Sequence, residues 1–363
     1  MERKELEQKI ELEHGLELTD EGSKEYGASQ WKTHELAQIQ TALGDIPAEH
    51  LTKLDKINRS AHGRSTTVGG LYDSANGVMQ MFDAIAYAPG TNTGKTDGIT
   101  GREGPKRYGA NVATSIGDIF QHEVGHAVAE SHQDAYQRFI AAAGWKRIAA
   151  DKLPAGAREE LTAKRAAEGK EHDHSHVGPE NDGKATIDGK RYSLDRYSKH
   201  YLERHEGAMP EGQGWQYAGA APEEHFAEVY AKALQVPETL HAELIAQPQA
   251  SYDAAHKEFI QAQQALIGAM SSGDWTLIAP NQKKLNEVQQ RLIDTSVQLT
   301  SRKQQWEIMR KDVFGVTDDD VERRARILKS QGADAGRVDL FRKQAGKAMT
   351  SKQLDRLSAK YAP

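Results

Sequence analysis

Apolar residues fall at helical spacing over most of this chain and at strand spacing in only two short stretches. Leu36, Ile39 and Leu43, with Ile46 beyond, form a helical stripe stopped by Gly44 and Pro47, which predicts a helix from about Trp31 and a second short one from Ala48 to Asp55. Between Gly69 and Asp83, two strand-like runs flank Asn76-Gly77, the turn pair of a hairpin. In a cleft-type enzyme the edge of such a hairpin pairs with an extended peptide through main-chain hydrogen bonds. A stripe of Phe120, Val124, Ala127 and Val128 predicts a helix opened by Ser115, with helical character running on to Gly144. Lys184 to Leu194 reads as a second hairpin with a type I′ turn at Asp188-Gly189.

A further helix begins at Pro222, its first turn acidic and its buried face Phe226, Val229, Tyr230 and Leu234. From about Leu240 the chain is Gln- and Ala-rich and helical. Leu285, Leu292, Leu299, Trp306 and Val313 recur every seven residues, with Val288 and Met309 at the companion position. Thr295 and Arg302 interrupt that register, so a long packed helix is expected rather than a strict coiled coil. Thr350 with Gln353 marks one more helix start.

Composition narrows the function classes. A length of 363 residues suits two domains, or one with a large appendage. With 37% hydrophobic residues, 28% charged and a formal net charge of -6, the chain has neither the basic surface of a nucleic-acid binder nor that of a membrane-surface protein. It has no cysteine, so any metal would fall to histidine and carboxylate. Met1 to Ile10 is a charged helix former without an apolar signal-peptide core, and no later run approaches the ~20 apolar residues of a membrane span. The expectation is a protein that is cytoplasmic or exported by a specialised secretion system.

The candidate chemistry sits in the helix after Ser115. His122-Glu123-Val124-Gly125-His126 is an H-E-x-x-H pattern. Positions i and i+4 share a helix face, so both imidazoles can meet one zinc ion, while Glu123, rotated by about 100°, reaches water beside it as general base. Gly125 costs roughly 1 kcal/mol inside a helix, and its expected use is the close approach of another backbone.

Three candidates compete for the next ligand. His132 has the six-residue spacing after His126 seen in metzincins, but that geometry needs a glycine at 129, where Ala129 prolongs the helix. His172, His174 and His176 lie in a polar insert, which reads better as a solvated loop than as a second metal site. Glu224 and Glu228 are i and i+4 on the Pro222 helix, so one can bind metal while the other orients a histidine. The stretch Gly90 to Thr96 imitates a phosphate-binding loop, but its glycine spacing is one residue short and no helix follows.

Taken together, His122-Glu123-Val124-Gly125-His126 and Glu224-His225-Phe226-Ala227-Glu228, with Tyr217 seven residues before Glu224, resemble the catalytic domain of anthrax lethal factor and the related Pro-Pro endopeptidases. The resemblance spans about Ser29 to Pro237. It implies one zinc ion on His122, His126 and Glu224, Glu123 as general base, Tyr217 as a hydroxyl donor near the transition state, and Glu228 as a supporting carboxylate. The gap from His126 to Glu224 is longer than in those relatives, and His225 replaces their usual aromatic, so Glu223, Glu224 and His225 all stay in play as the third ligand.

The expected fold is α+β: a charged N-terminal arm over 1–28, a zincin-type metallopeptidase domain over 29–238, and a mostly α-helical extension over 239–363. The expected activity is zinc-dependent endoproteolysis of a protein substrate, as a bacterial toxin or effector. The competing reading is a catalytically inactive zinc-binding interaction module. The C-terminal helices are expected to scaffold the domain, or to dock secretion machinery, an immunity partner or substrate.

Overall fold

The computed structural model describes residues 2–20, 29–60, 70–82, 115–159, 161, 185–205 and 221–363. The fold is α+β, with two small sheets and a helical C-terminal region. The first sheet has the order β1-β2-β4-β3, from Glu17–Thr19, Lys56–Ser60, Val78–Phe82 and Gly70–Asp73. The first three strands run parallel, and β3 returns antiparallel to β4 as the expected hairpin, with Leu71 opposite Gln80 and Tyr72 opposite Met79. Gly77 takes the left-handed conformation that the turn requires, at φ 63°. The second sheet is antiparallel, in the order β5-β8-β7-β6, from Lys146–Arg147, Tyr201–His205, Lys190–Leu194 and Ala185–Ile187. Asp188 and Gly189 both have positive φ in its tight turn, as a type I′ turn demands.

The N-terminal segment differs from the charged arm expected over 1–28. Helix α1 (Arg3–His14) buries Leu6 and Ile10, and β1 pairs in parallel with β2, so residues 3–19 complete the main core rather than trail from it. Two apolar residues one turn apart are enough to seat a helix whose other positions are charged. The Trp31 indole then donates to the Thr19 carbonyl at 2.9 Å. Helix α2 (Thr33–Leu43) buries Leu36, Ile39 and Leu43 as expected, whereas the second short helix is a single 3₁₀ turn, Ala48–Leu51, before the chain enters β2. Below α2, Glu35 and Arg59 form a fully buried bidentate pair, at 3.1 and 3.2 Å, that ties the helix to the sheet.

Helix α3 (Ile116–Ser131) is the centre of the body, packed on α2, on β3 and on α5 (Pro222–Gln235). Helix α4 (Gln133–Ala142) follows it after one residue. The chain continues through α6 (Pro237–His241) and a π-helical turn into α7 (Gln247–Ser272), which pairs with α8 (Trp275–Glu307). The region expected to begin at residue 239 is bound back into the body. Leu240, Leu244, Trp306, Met309, Val313, Phe314 and Met349 share one core with α3. Beyond them α9 (Asp318–Ser330), α10 (Ala335–Ala345) and α11 (Ser351–Tyr361) close over a small core of their own, centred on Leu328, Phe341 and Leu354. Among the described residues no helix is long and apolar enough to cross a membrane.

Candidate metal centre

Ser115 opens α3, its hydroxyl accepting from the Asp118 amide at 3.2 Å. Phe120, Val124, Ala127 and Val128 are all buried, which fixes the rotation of the helix and turns His122 and His126 toward α5. Pro222 begins α5 at the position where its missing N–H costs nothing, and Glu223 and Glu224 occupy the first turn, where the helix dipole favours acids. The two helices meet at Gly125, where a Cβ would lie 2.7 Å from the Ala227 Cα. Only a glycine permits that approach, and it brings the first turn of α5 over the histidines.

As a result Glu224 Oε2 lies 3.2 Å from His122 Nε2 and 3.5 Å from His126 Nε2. His122, His126 and Glu224 form a group that could hold a metal ion, with one ligand atom from each lying within 4.8 Å of the others. Glu228, one turn further along α5 and buried, places Oε2 3.4 Å from His122 Nδ1. That contact holds the ring proton on Nδ1 and leaves Nε2 for the ligand position.

The neighbours of Glu224 leave the helix elsewhere. The ring of His225 is buried edge-on against Phe139, with centroids 5.2 Å apart, and Glu223 is buried on the side of Tyr136, Arg196 and Tyr197. Burial, with the nearby charges of Arg204, Arg302 and Lys232, holds His225 well below the usual histidine range, so it stays neutral. His132 caps the end of α3 and meets His50, away from the group. Tyr217, the His172, His174 and His176 insert and the Gly90 to Thr96 loop lie outside the described residues.

No family model matches this chain, and neither a curated protein nor a solved structure does. The likeness to lethal factor therefore rests on the residues quoted above.

Charge in the group is balanced internally. Burial opposes a cation on His122, but hydrogen bonds to Glu224 and Glu228 and attraction from Glu224 and Glu123 outweigh it and hold the ring well above the usual histidine range. Burial likewise opposes the Glu224 carboxylate, yet His126 and His122 hold it well below the usual carboxylate range.

Glu123 is buried on the β3 side of α3, where its Oε2 accepts from the Tyr72 amide at 3.1 Å. A Cβ at Gly70 would stand 2.7 Å from Glu123 Cγ, so the first residue of β3 leaves the room that this side chain fills. The Tyr72 carbonyl accepts from Arg196 Nη2 at 2.9 Å. At Tyr72, then, the sheet edge expected to stand open to a peptide already has its amide and its carbonyl engaged by side chains.

Two residues of this site were missed by sequence reasoning, Arg196 and Tyr197, both in the turn between β7 and β8. The Tyr197 hydroxyl donates to the His126 carbonyl at 2.9 Å and lies 3.4 Å from His126 Nδ1. Nothing in the run Asp195-Arg196-Tyr197-Ser198 marks it, because the contact is made across 71 residues.

Proposed function

We propose that this chain is a zinc-dependent metalloendopeptidase of the zincin type, acting like the lethal factor-related peptidases it resembles at His122–His126 and Glu224–Glu228. The observation that carries the reading is the meeting of Glu224 Oε2 with both Nε2 atoms at 3.2 and 3.5 Å. Donors about 2.1 Å from one tetrahedral ion lie about 3.4 Å from each other, and the two Glu224 distances match that spacing. An ordinary structural ion pair would need neither the second histidine nor Glu228 behind the first.

Zinc, when bound, supplies a Lewis acid for the scissile carbonyl and brings the pKa of water down to about 7. Glu123 takes the proton of the attacking water and hands it to the leaving amine. Until then, the Tyr72 amide and the packing of Gly70 hold its carboxylate at the wall of the site. Glu228 keeps His122 in the ligating tautomer. By resemblance, the Tyr217 phenol donates to the developing oxyanion. A toxin or effector role against a protein target belongs to the same proposal.

Metal analysis of the purified protein, paired with cleavage of a peptide library by wild type and Glu123→Ala, tests it. Wild type is expected to carry one zinc per chain, and Glu123→Ala to keep the zinc but lose cleavage. Glu224→Ala is expected to lower zinc affinity severely, and Glu228→Ala to bind it roughly 10–100-fold more weakly. Protein that takes up no zinc, or equal cleavage by wild type and Glu123→Ala, would sink the reading.

A further inference from the structure

The two histidines of the metal group are backed by different chemistry. Behind His122 stands a carboxylate, Glu228. Behind His126 stands a phenol, Tyr197, and the shorter of its two contacts sets the arrangement. The Tyr197 hydroxyl donates its only proton to the His126 carbonyl at 2.9 Å, so toward the ring, 3.4 Å away, it can only accept. His126 then carries a proton on Nδ1, with Nε2 facing Glu224 Oε2 at 3.5 Å.

Tyr197 is not free to swing away. Its ring meets Tyr136 edge-on at 5.0 Å and packs on the main core. The turn that carries it is anchored by the fully buried Asp195, whose carboxylate accepts from the Tyr136 hydroxyl at 2.6 Å, Gln137 Nε2 at 3.1 Å, the Ser198 amide at 3.1 Å and the Tyr197 amide at 3.5 Å, and also from the Ser198 hydroxyl. Every partner of that carboxylate is a donor. Tyr136 and Gln137 belong to α4, the helix that continues from α3, so the turn is referenced to the same rigid unit as the metal histidines.

From this geometry we propose that Tyr197 is a positioning residue of the metal centre, fixing the tautomer and ring orientation of His126, and that Asp195 acts through it without touching the metal group. The proposal rests on the metallopeptidase reading and adds a residue to it. Tyr197→Phe keeps the packed ring and removes only the hydroxyl. Asp195→Asn keeps the shape but turns an all-acceptor group into one that meets some of its donors with a donor.

The experiment has two readouts, zinc affinity by chelator competition and the ring-nitrogen NMR signals of His126 in metal-free protein. Tyr197→Phe is expected to weaken zinc roughly 10–100-fold, as losses behind a ligand histidine do, and to shift the His126 signals away from the Nδ1–H form. Asp195→Asn should move both readouts in the same direction, and the double variant should fall no further than Tyr197→Phe alone, because one residue acts through the other. If wild type binds zinc while Tyr197→Phe binds it within about two-fold as tightly and leaves the nitrogen signals unchanged, this proposal is overturned and the metallopeptidase reading stands. A wild type that binds no zinc overturns both.

Discussion

Where α3 crosses α5, helix backbones touch at a glycine, and the buried faces carry His126 and Glu228. Where α7 runs beside α8, the buried positions of α7 are Ala255, Ala262 and Ala269, one every seven residues, while Ile260, Ile267 and Met270 face solvent. Leu285 and Leu292, in the expected seven-residue stripe of α8, are only half-buried, since a helix with one partner covers one side of a stripe. Leu299, Trp306 and Val313, nearer the body, are buried. In the body, burial is specific: polar groups go in and each must be met. Away from the body, where α8 has not yet buried Arg302 and Gln305, burial in the α7–α8 pair is generic, and a change there should cost only its own surface.

The largest test of that contrast is the same substitution made in each region. Glu35→Ala would leave Arg59 buried and stripped of its bidentate partner, and breaking a buried pair costs about 3–5 kcal/mol. Glu258→Ala removes a 2.7 Å pair with Arg291 whose side chains are 47% and 55% exposed, and such pairs contribute about 0–1 kcal/mol. Urea denaturation should place the two variants far apart. Equal midpoints would mean that the buried pair is no more than a surface one.

The joint between the regions should respond to pH. His50, in the 3₁₀ turn before β2, lies 2.9 Å from the Tyr230 hydroxyl through Nδ1 and 2.9 Å from the Val313 carbonyl through Nε2. Burial lowers it to about 4, against the pull of its hydrogen bond to Val313. Between about 4 and 6.5 the unfolded chain binds a proton there that the folded chain does not. Stability from this group is therefore whole above pH 6.5 and falls as the pH drops toward 4, by on the order of 3 kcal/mol. His50→Gln should flatten the stability-against-pH curve over that window. A slope as steep as that of the wild type would assign the acid sensitivity to other groups.

How much of this was legible in the sequence follows from the range of each contact. Both halves of the candidate site could be read because helix periodicity sets them, His122 with His126 and Glu224 with Glu228. Helix rotation also separates Glu224 from Glu223 and His225, which share a turn but not a face. Strand β1 was not legible: Glu17, Leu18 and Thr19 are too short a run for alternation to announce a strand, and they become one because β2 is there to pair with. Arg59 with Glu35, Tyr72 with Glu123 and Tyr197 with His126 join residues 24, 51 and 71 apart, with no local pattern to announce them. In the C-terminal helices the seven-residue stripe of α8 could be read from its large side chains. The matching seam of α7 is alanine, which reads only as composition.

The smallest effect is the sharpest, because its sign should reverse between the regions. Gly125 and Gly268 both lie inside helices, where alanine is intrinsically better by about 1 kcal/mol. At Gly268 a Cβ would meet nothing within 4 Å, so Gly268→Ala should stabilise by nearly that amount. At Gly125 the same atom would come within 2.7 Å of the Ala227 Cα and 3.1 Å of its carbonyl oxygen. Backbone cannot rotate out of the way as a side chain can, so α3 and α5 must part, and overpacking of this kind costs about 1–3 kcal/mol. Parting them also draws Glu224 off the histidines. Gly125→Ala should therefore lower the melting temperature and weaken metal uptake together, while Gly268→Ala raises the first and leaves the second alone. A Gly125→Ala protein that melts higher than wild type would show that the two helices do not meet at this glycine.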